Sequence, residues 1–289
     1  MSEAVKTWSE WLNNTRFSYT QEDQANQMLL LLNEIKDKIL ERAHLKPNDV
    51  FLDVGTGMGL LSFGAYEKLK GTGKVIASDA FADCIEECRK IAEKLGIENE
   101  IEFLQTDATD IKLPDSSADV ITVRSVLVHL LDKPKAINEF FRVLKPGGRI
   151  SAYEAIMSRT TKFYEFINPC NFPGYEKLKE TEDKIMSDEN DPLMNFNENS
   201  LRKNLEDAGF KNIDIIPAEQ FSACQLSKET VDFWLNAPLS VGQPTLREKY
   251  LRYFSENELN EIIAVLKTEL DEKPVILNLP KVYIYAEKH

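Results

Sequence analysis

The chain is short of the residues on which most metal and redox chemistry depends. Among its 289 residues there are three histidines, one of them C-terminal, and four cysteines. Cys84, Cys88, Cys170 and Cys224 make neither a C-x-x-C nor a zinc-ligand spacing, so they read as reduced, partly buried thiols, and no metal site is expected. Long apolar runs are missing as well. The longest, near Val120–Leu131, is interrupted by Arg124 and His129 and is too short to cross a bilayer. The first twenty residues are polar and aromatic and lack the apolar stretch of a signal peptide, so a cytoplasmic protein with no membrane partner is expected. Positive charge is in deficit: 35 Lys and Arg stand against 48 Asp and Glu, a formal net charge of −13 with no dense basic run. A diffuse acidic surface disfavours a polyanion, so nucleic acid is not an expected partner. Neither repeats nor low-complexity segments occur, and no oligomeric state follows from the sequence.

What is present is concentrated between Val50 and Leu61, in the segment VFLDVGTGMGLL. An apolar run ends in Asp53, and Gly55, Gly57 and Gly59 follow at alternate positions, with Thr56 between the first two. Glycine permits positive φ and close backbone approach to a ligand. The start of the helix behind such a turn offers unpaired N–H groups and partial positive charge, which suits a phosphate or a carboxylate. The dinucleotide spacing G-x-G-x-x-G would put its third glycine where Leu60 stands, and no Gly-Lys-Ser/Thr follows. Asp53 would repel a pyrophosphate and suit a cationic amine. The segment therefore fits an amino-acid moiety, with its carboxylate at the glycines and its ammonium near Asp53. S-adenosylmethionine carries that moiety.

From this segment onward the chain alternates strands near 50–54, 74–79, 101–105, 118–123 and 148–154 with helices near 59–69, 82–95 and 134–144. That rhythm predicts an α/β, Rossmann-like doubly wound sheet with helices on both faces. Four parts are expected: a helical N-terminal cap segment (1–46), a cofactor-binding core (47–155), a helical and aromatic insertion forming a substrate cap (156–197), and a segment completing the sheet (198–289) with a helical insertion at 220–278. Within the last part, helices are expected at 199–208, closed by Gly209, at 228–234, at 246–253 and at 256–270, where Ser255 and Glu258 form a capping box. Strands are expected at 211–217 and 282–286.

Ligands of open α/β sheets bind beyond the carboxyl ends of the strands. Strand two ends in Asp79-Ala80, twenty residues past Gly59, where a carboxylate can accept both hydroxyls of a ribose. Strand three ends in Asp107-Ala108, and Asp107 can accept from an exocyclic amine such as that of adenine. Strand four leads to Arg124-Ser125, with His129 close behind, and strand five ends in Tyr153-Glu154. His129 and Glu154 are the candidate general bases, with Tyr19 and Tyr153 as orienting groups. Trp8, Trp11, Phe17, Tyr164, Phe166, Phe172, Tyr175, Phe221 and Trp234 fall in the variable parts and suggest an apolar or aromatic small-molecule acceptor.

Taken together, LDVGTGMG, SDA, QTDATDI and RVLKPGGRI resemble the ordered motifs of class I S-adenosylmethionine-dependent methyltransferases of the small-molecule type. The resemblance implies a seven-stranded sheet whose last strand is antiparallel and inserted between strands five and six. It implies contacts to the methionine portion from Asp53, Gly55 and Gly57 within the turn that Thr56 and Gly59 complete. The ribose would sit on Asp79 beside Ala80, and Asp107 and Ala108 would flank the adenine. Arg124 would lie near the methionine end, and Arg16 and Tyr19 would fold over the cofactor. The expected reaction is in-line displacement at the sulfonium methyl. The alternatives are a protein that binds the cofactor without catalysis and an NAD-type oxidoreductase. Related enzymes that methylate arsenite carry a cysteine in the turn after strand four, where Ser125 stands here.

Overall fold

The structure is a computed structural model and describes residues 22–218, 221–225, 227–271 and 273–289. Helix α1 (Glu22–Arg42) leads into an alternation of β1 (Val50–Val54), α2 (Leu60–Leu69), β2 (Lys74–Asp79), α3 (Ala82–Leu95), β3 (Ile101–Gln105), β4 (Ala118–Arg124), α4 (Lys133–Val143) and β5 (Leu144–Ala155). Then follow α5 (Tyr175–Met186), α6 (Glu198–Ala208), β6 (Lys211–Pro217), β7 (Phe221–Gln225), α7 (Lys228–Asn236), α8 (Leu246–Tyr250), α9 (Glu256–Leu270), β8 (Pro274–Asn278) and β9 (Lys281–Glu287). Seven strands form one sheet in the order β3-β2-β1-β4-β5-β9-β6. β1 to β5 run parallel, and β9 is antiparallel to both of its neighbours, β5 and β6. The order reverses between β1 and β4, which opens a crevice at the carboxyl ends of the strands.

Strand periodicity divides the core in two. Leu52, Val54, Ile121 and Val123 face one side, packing with Ile137 and Phe140 of α4 and Leu201 and Leu205 of α6. Phe51, Val75 and Val120 face the other, against Ile39 and Leu40 of α1, Leu61 and Ala65 of α2, and Cys88 of α3. Successive residues of a strand point to opposite faces, so both sides of the central strands must be apolar. Each fully buried Leu or Phe contributes roughly 1.5–3 kcal/mol. A third cluster belongs to the cap, where Leu178 and Ile185 of α5 meet Val231 and Leu235 of α7, Tyr250 of α8 and Leu259, Ile262 and Leu266 of α9.

The strand and helix alternation lies where the sequence predicts it. Gly209 closes α6 at φ 103°, and the side chains of Ser255 and Glu258 form the reciprocal cap of α9. Four features differ. β5 starts at Leu144 rather than 148, because Gly147, at φ 78°, lets the chain turn through Pro146-Gly147-Gly148 while its N–H bonds to Lys288 O. Residues 156–174 form short 3-10 turns at Met157–Arg159, Phe163–Phe166 and Pro169–Asn171 before α5 begins. The antiparallel ribbon of β7 and β8 is not legible in the sequence, since its two halves are separated by three helices and β8 opens with a proline. Helix α8 also stops at Tyr250, short of the expected 253.

Candidate cofactor and acceptor cleft

A cleft of about 350 Å3 lies over the strand-order reversal. The glycine turn forms its floor. Gly55, Gly57 and Gly59 all have positive φ, of 73°, 54° and 89°. Their tasks differ. A Cβ on Gly55 would lie 2.2 Å from Val126 Cγ2, and one on Gly59 would lie 2.3 Å from the Phe63 ring and 2.9 Å from Cys88 Sγ. At Gly57 nothing lies within 4 Å of that position. Gly55 and Gly57 line the cleft, whereas Gly59 serves the packing of α2 against α3 and does not.

Asp53 shares the β1 face of Phe51 and therefore points toward α2. Its Oδ2 accepts from Ser62 N (3.1 Å) and Ser62 Oγ (2.8 Å), and its Oδ1 accepts from Thr122 Oγ1 (3.2 Å). Thr56 joins this network through Ser62 Oγ at 2.9 Å. Burial pushes the Asp53 carboxyl up to about 6 against the pull of these hydroxyls. The placement of an ammonium beside Asp53 is thus corrected: the carboxylate is 1% exposed, lies beneath the turn, and ties β1 to α2 and β4. Thr56 is likewise absent from the cleft lining.

Asp79, at the end of β2, lines the cleft together with Ala80. Its Oδ2 accepts from Gly57 N (3.0 Å) and its Oδ1 from Phe81 N (3.1 Å). Burial raises its pKa, and the two amides pull it back. Asp107 and Ala108 line the same cleft after β3. Asp107 Oδ1 accepts from Thr109 N (2.7 Å) and Thr109 Oγ1 (2.8 Å), a local turn that sets the carboxyl at the rim.

Beyond β4, the lining continues through Arg124, Ser125, Val126, Val128 and His129. Ser125 adopts φ 55°, and Leu127–His129 form a short 3-10 turn. Glu154, expected as a candidate base facing the cleft, is fully buried behind this turn. Its Oε1 accepts from Val126 N (2.9 Å) and Leu127 N (3.0 Å), and its Oε2 from Val128 N (3.1 Å). Burial pushes it up to about 7, opposed by those amides and by Lys133. Tyr153 points to the opposite face, its ring 4.8 Å from that of Tyr283, and does not reach the cleft.

The roof comes from the cap side: Leu193, Leu239, Ser240, Val241 and Gln243, with Ala155 and Met157 at the end of β5. Leu193, Leu239 and Val241 are its aliphatic part, and Ser240 and Gln243 its polar part. Tyr164, Phe166, Phe172, Tyr175 and Trp234, expected around the acceptor, pack in the cap core instead. Arg16, Tyr19, Trp8, Trp11 and Phe17 lie outside the described residues, and Phe221 is described in its backbone only.

Two buried lysines escape sequence reasoning, since nothing in their local pattern sets them apart. Lys133 Nζ donates to Leu130 O (2.7 Å), Pro192 O (2.8 Å) and Asn195 Oδ1, and burial lowers its pKa to about 8. Lys249 of α8 pairs with Asp191, both side chains 7% exposed. Cys84 and Cys88 are buried, with Cys88 pushed up to about 12 by burial, which keeps the thiol protonated. Among the described residues no cluster of three or more His, Cys, Asp or Glu is placed to hold a metal, and no helix is long and apolar enough to cross a membrane.

Comparison with known proteins agrees with this geometry. Residues 45–208, more than half of the chain, match the family model described as a methyltransferase domain. Phosphoethanolamine N-methyltransferase 1 of Arabidopsis thaliana is 27% identical over 239 residues, covering 82% of this chain and 42% of its own. A ubiquinone/menaquinone biosynthesis C-methyltransferase of Pseudoalteromonas translucida is 28% identical over 174 residues, covering 55% of this chain and 65% of its own. The chain thus spans less than two thirds of the length of these relatives. Among solved structures, phosphoethanolamine N-methyltransferase 2 of Haemonchus contortus in complex with S-adenosylmethionine superposes with a TM-score of 0.53 at 19% identity, covering 88% of this chain and 52% of that one. The chain belongs to the methyltransferase domain family and has the Rossmann-like architecture of its class I members.

Proposed function

We propose that the cleft binds S-adenosylmethionine and that the chain transfers its methyl group to a small molecule. The observation that carries this reading is Asp79. Its carboxylate stands at the end of β2 on the cleft wall, held in place by the Gly57 N–H. A ribose offers hydroxyl donors to the same carboxylate. The open space above Gly57 accommodates the methionine end, and Asp107 and Ala108 flank the adenine. The family membership and the relatives' names support this chemistry over a nicotinamide oxidoreductase or a cofactor-binding protein without catalysis.

When bound, the cofactor supplies a methyl group already activated by its positively charged sulfur. The protein's work is positioning and exclusion of water. The aliphatic part of the roof, Leu193, Leu239 and Val241, keeps the methyl end dry and suits an acceptor with an apolar part. His129 lies on the same wall and takes the acceptor's proton where one must be lost. Titration calorimetry with S-adenosylhomocysteine tests the reading, with Asp79→Ala as the comparison: wild type binds in the micromolar range and the variant binds more weakly. Equal affinity of the two removes Asp79 from the ribose.

A further inference from the structure

We propose that Glu154 is the positioning residue of the cleft, its carboxylate holding the turn after β4 against the glycine turn so that the wall carrying His129 is set in place. The inference rests on the reading that the cleft binds S-adenosylmethionine, and it assigns Glu154 no contact with the cofactor or the acceptor. Three consecutive amides, those of Val126, Leu127 and Val128, converge on this one side chain. They open a 3-10 turn three residues long, too short to pair its own first N–H groups. Leu127 and Val128 are buried, so water does not substitute. An ionised carboxylate has two oxygens and about four acceptor sites, enough for all three amides, whereas a carboxamide keeps one oxygen and adds a competing donor.

The register makes the placement inevitable. Arg124 of β4 pairs with Tyr153 of β5, and Ser125 N donates to Tyr153 O at 2.9 Å as the last ladder bond. Glu154 is the next residue, on the face where the turn passes. The held turn then meets the floor of the cleft: Val126 Cγ2 fills the space where Gly55 would carry a Cβ. At the far end, Lys133 holds Leu130 O and attracts Glu154 electrostatically. The segment from Val126 to Leu130 is held at both ends by side chains behind the wall, Glu154 at one and Lys133 at the other.

The test compares wild type with Glu154→Gln, which preserves shape. In calorimetry, S-adenosylhomocysteine binding weakens at least tenfold, while adenosine, which reaches only the Asp79 and Asp107 side, binds within twofold of wild type. A general loss of folding would weaken both ligands alike, and that result, or unchanged S-adenosylhomocysteine affinity, overturns the inference. Amide exchange provides a ligand-free measurement. In wild type the amides of residues 126–128 exchange as slowly as those of β4, and in the variant at least tenfold faster. Wild-type amides exchanging like an exposed turn overturn the inference even where the variant fails to fold. Wild type binding neither ligand refutes the reading of the cleft instead, and exchange still decides the role of Glu154.

Discussion

Replacing Lys249 by Met measures how firmly the cap is attached to the core. Helix α8 follows the cleft-lining residues Leu239, Ser240, Val241 and Gln243, and Lys249 on it makes a buried ion pair with Asp191, both side chains 7% exposed. Breaking a buried pair from one side costs about 3–5 kcal/mol, because the other charge is left uncompensated. Asp191 would not be bare: its Oδ1 still accepts from Leu193 N at 2.9 Å, which offsets about 1 kcal/mol. The neighbouring Tyr250 also keeps its bond to Glu182 at 2.5 Å, so α8 stays docked. The expected loss is therefore about 2–4 kcal/mol in urea unfolding. In Lys249→Met with Asp191→Asn no charge is stranded and the oxygen facing Leu193 is retained. The double variant should recover at least half of that loss, a coupling that a double-mutant cycle reads directly. A Lys249→Met cost below about 1 kcal/mol, or a double variant that loses the sum of the singles, refutes the reasoning.

Other outcomes follow from the same geometry. Asp79→Ala should weaken S-adenosylhomocysteine binding by about 1–3 kcal/mol, roughly 5- to 150-fold, as read by calorimetry. Gly57→Ala should cost only about 1–2 kcal/mol of stability, since the added methyl meets only open space at a left-handed backbone, yet should abolish ligand binding. Gly59→Ala should destabilise more, because its methyl meets Phe63 and Cys88. Glu154 has its pKa raised from 4.5 to about 7, so between those values the folded state holds the extra proton and stability falls as pH rises. Glu154→Gln should remove that component, on the order of 3 kcal/mol, from the pH dependence of unfolding; identical slopes in the two proteins contradict it. His129→Asn should lower turnover while leaving S-adenosylhomocysteine affinity within about twofold, and full turnover across about pH 6–9 removes it as a base.

The sheet was legible because each of its strands announces itself locally. VFLDV and VITV are mostly apolar runs bounded by turn residues, and the glycine spacing marks the cleft. The cleft residues at or just past strand ends, Asp79, Asp107 and Arg124, are legible by the same rule. Directions of side chains were harder. Asp53 and Glu154 each end an apolar run and look poised for chemistry, yet both are buried, and each bonds to a segment far away in sequence. A carboxylate at a strand end serves a ligand or the backbone depending on which face it takes, and that is set by neighbouring strands. The cap was least legible, because its aromatics satisfy a helical core pattern and a substrate pocket equally well. The structure places them in the core and leaves the aliphatic part of the roof to Leu193, Leu239 and Val241.

The most direct test of the cleft's assignment is a calorimetric titration of the whole protein with S-adenosylhomocysteine, run beside one with NAD. Saturable one-site binding of the former in the micromolar range, with no heat from the latter, is the expected result. Binding of NAD with no response to S-adenosylhomocysteine would contradict it.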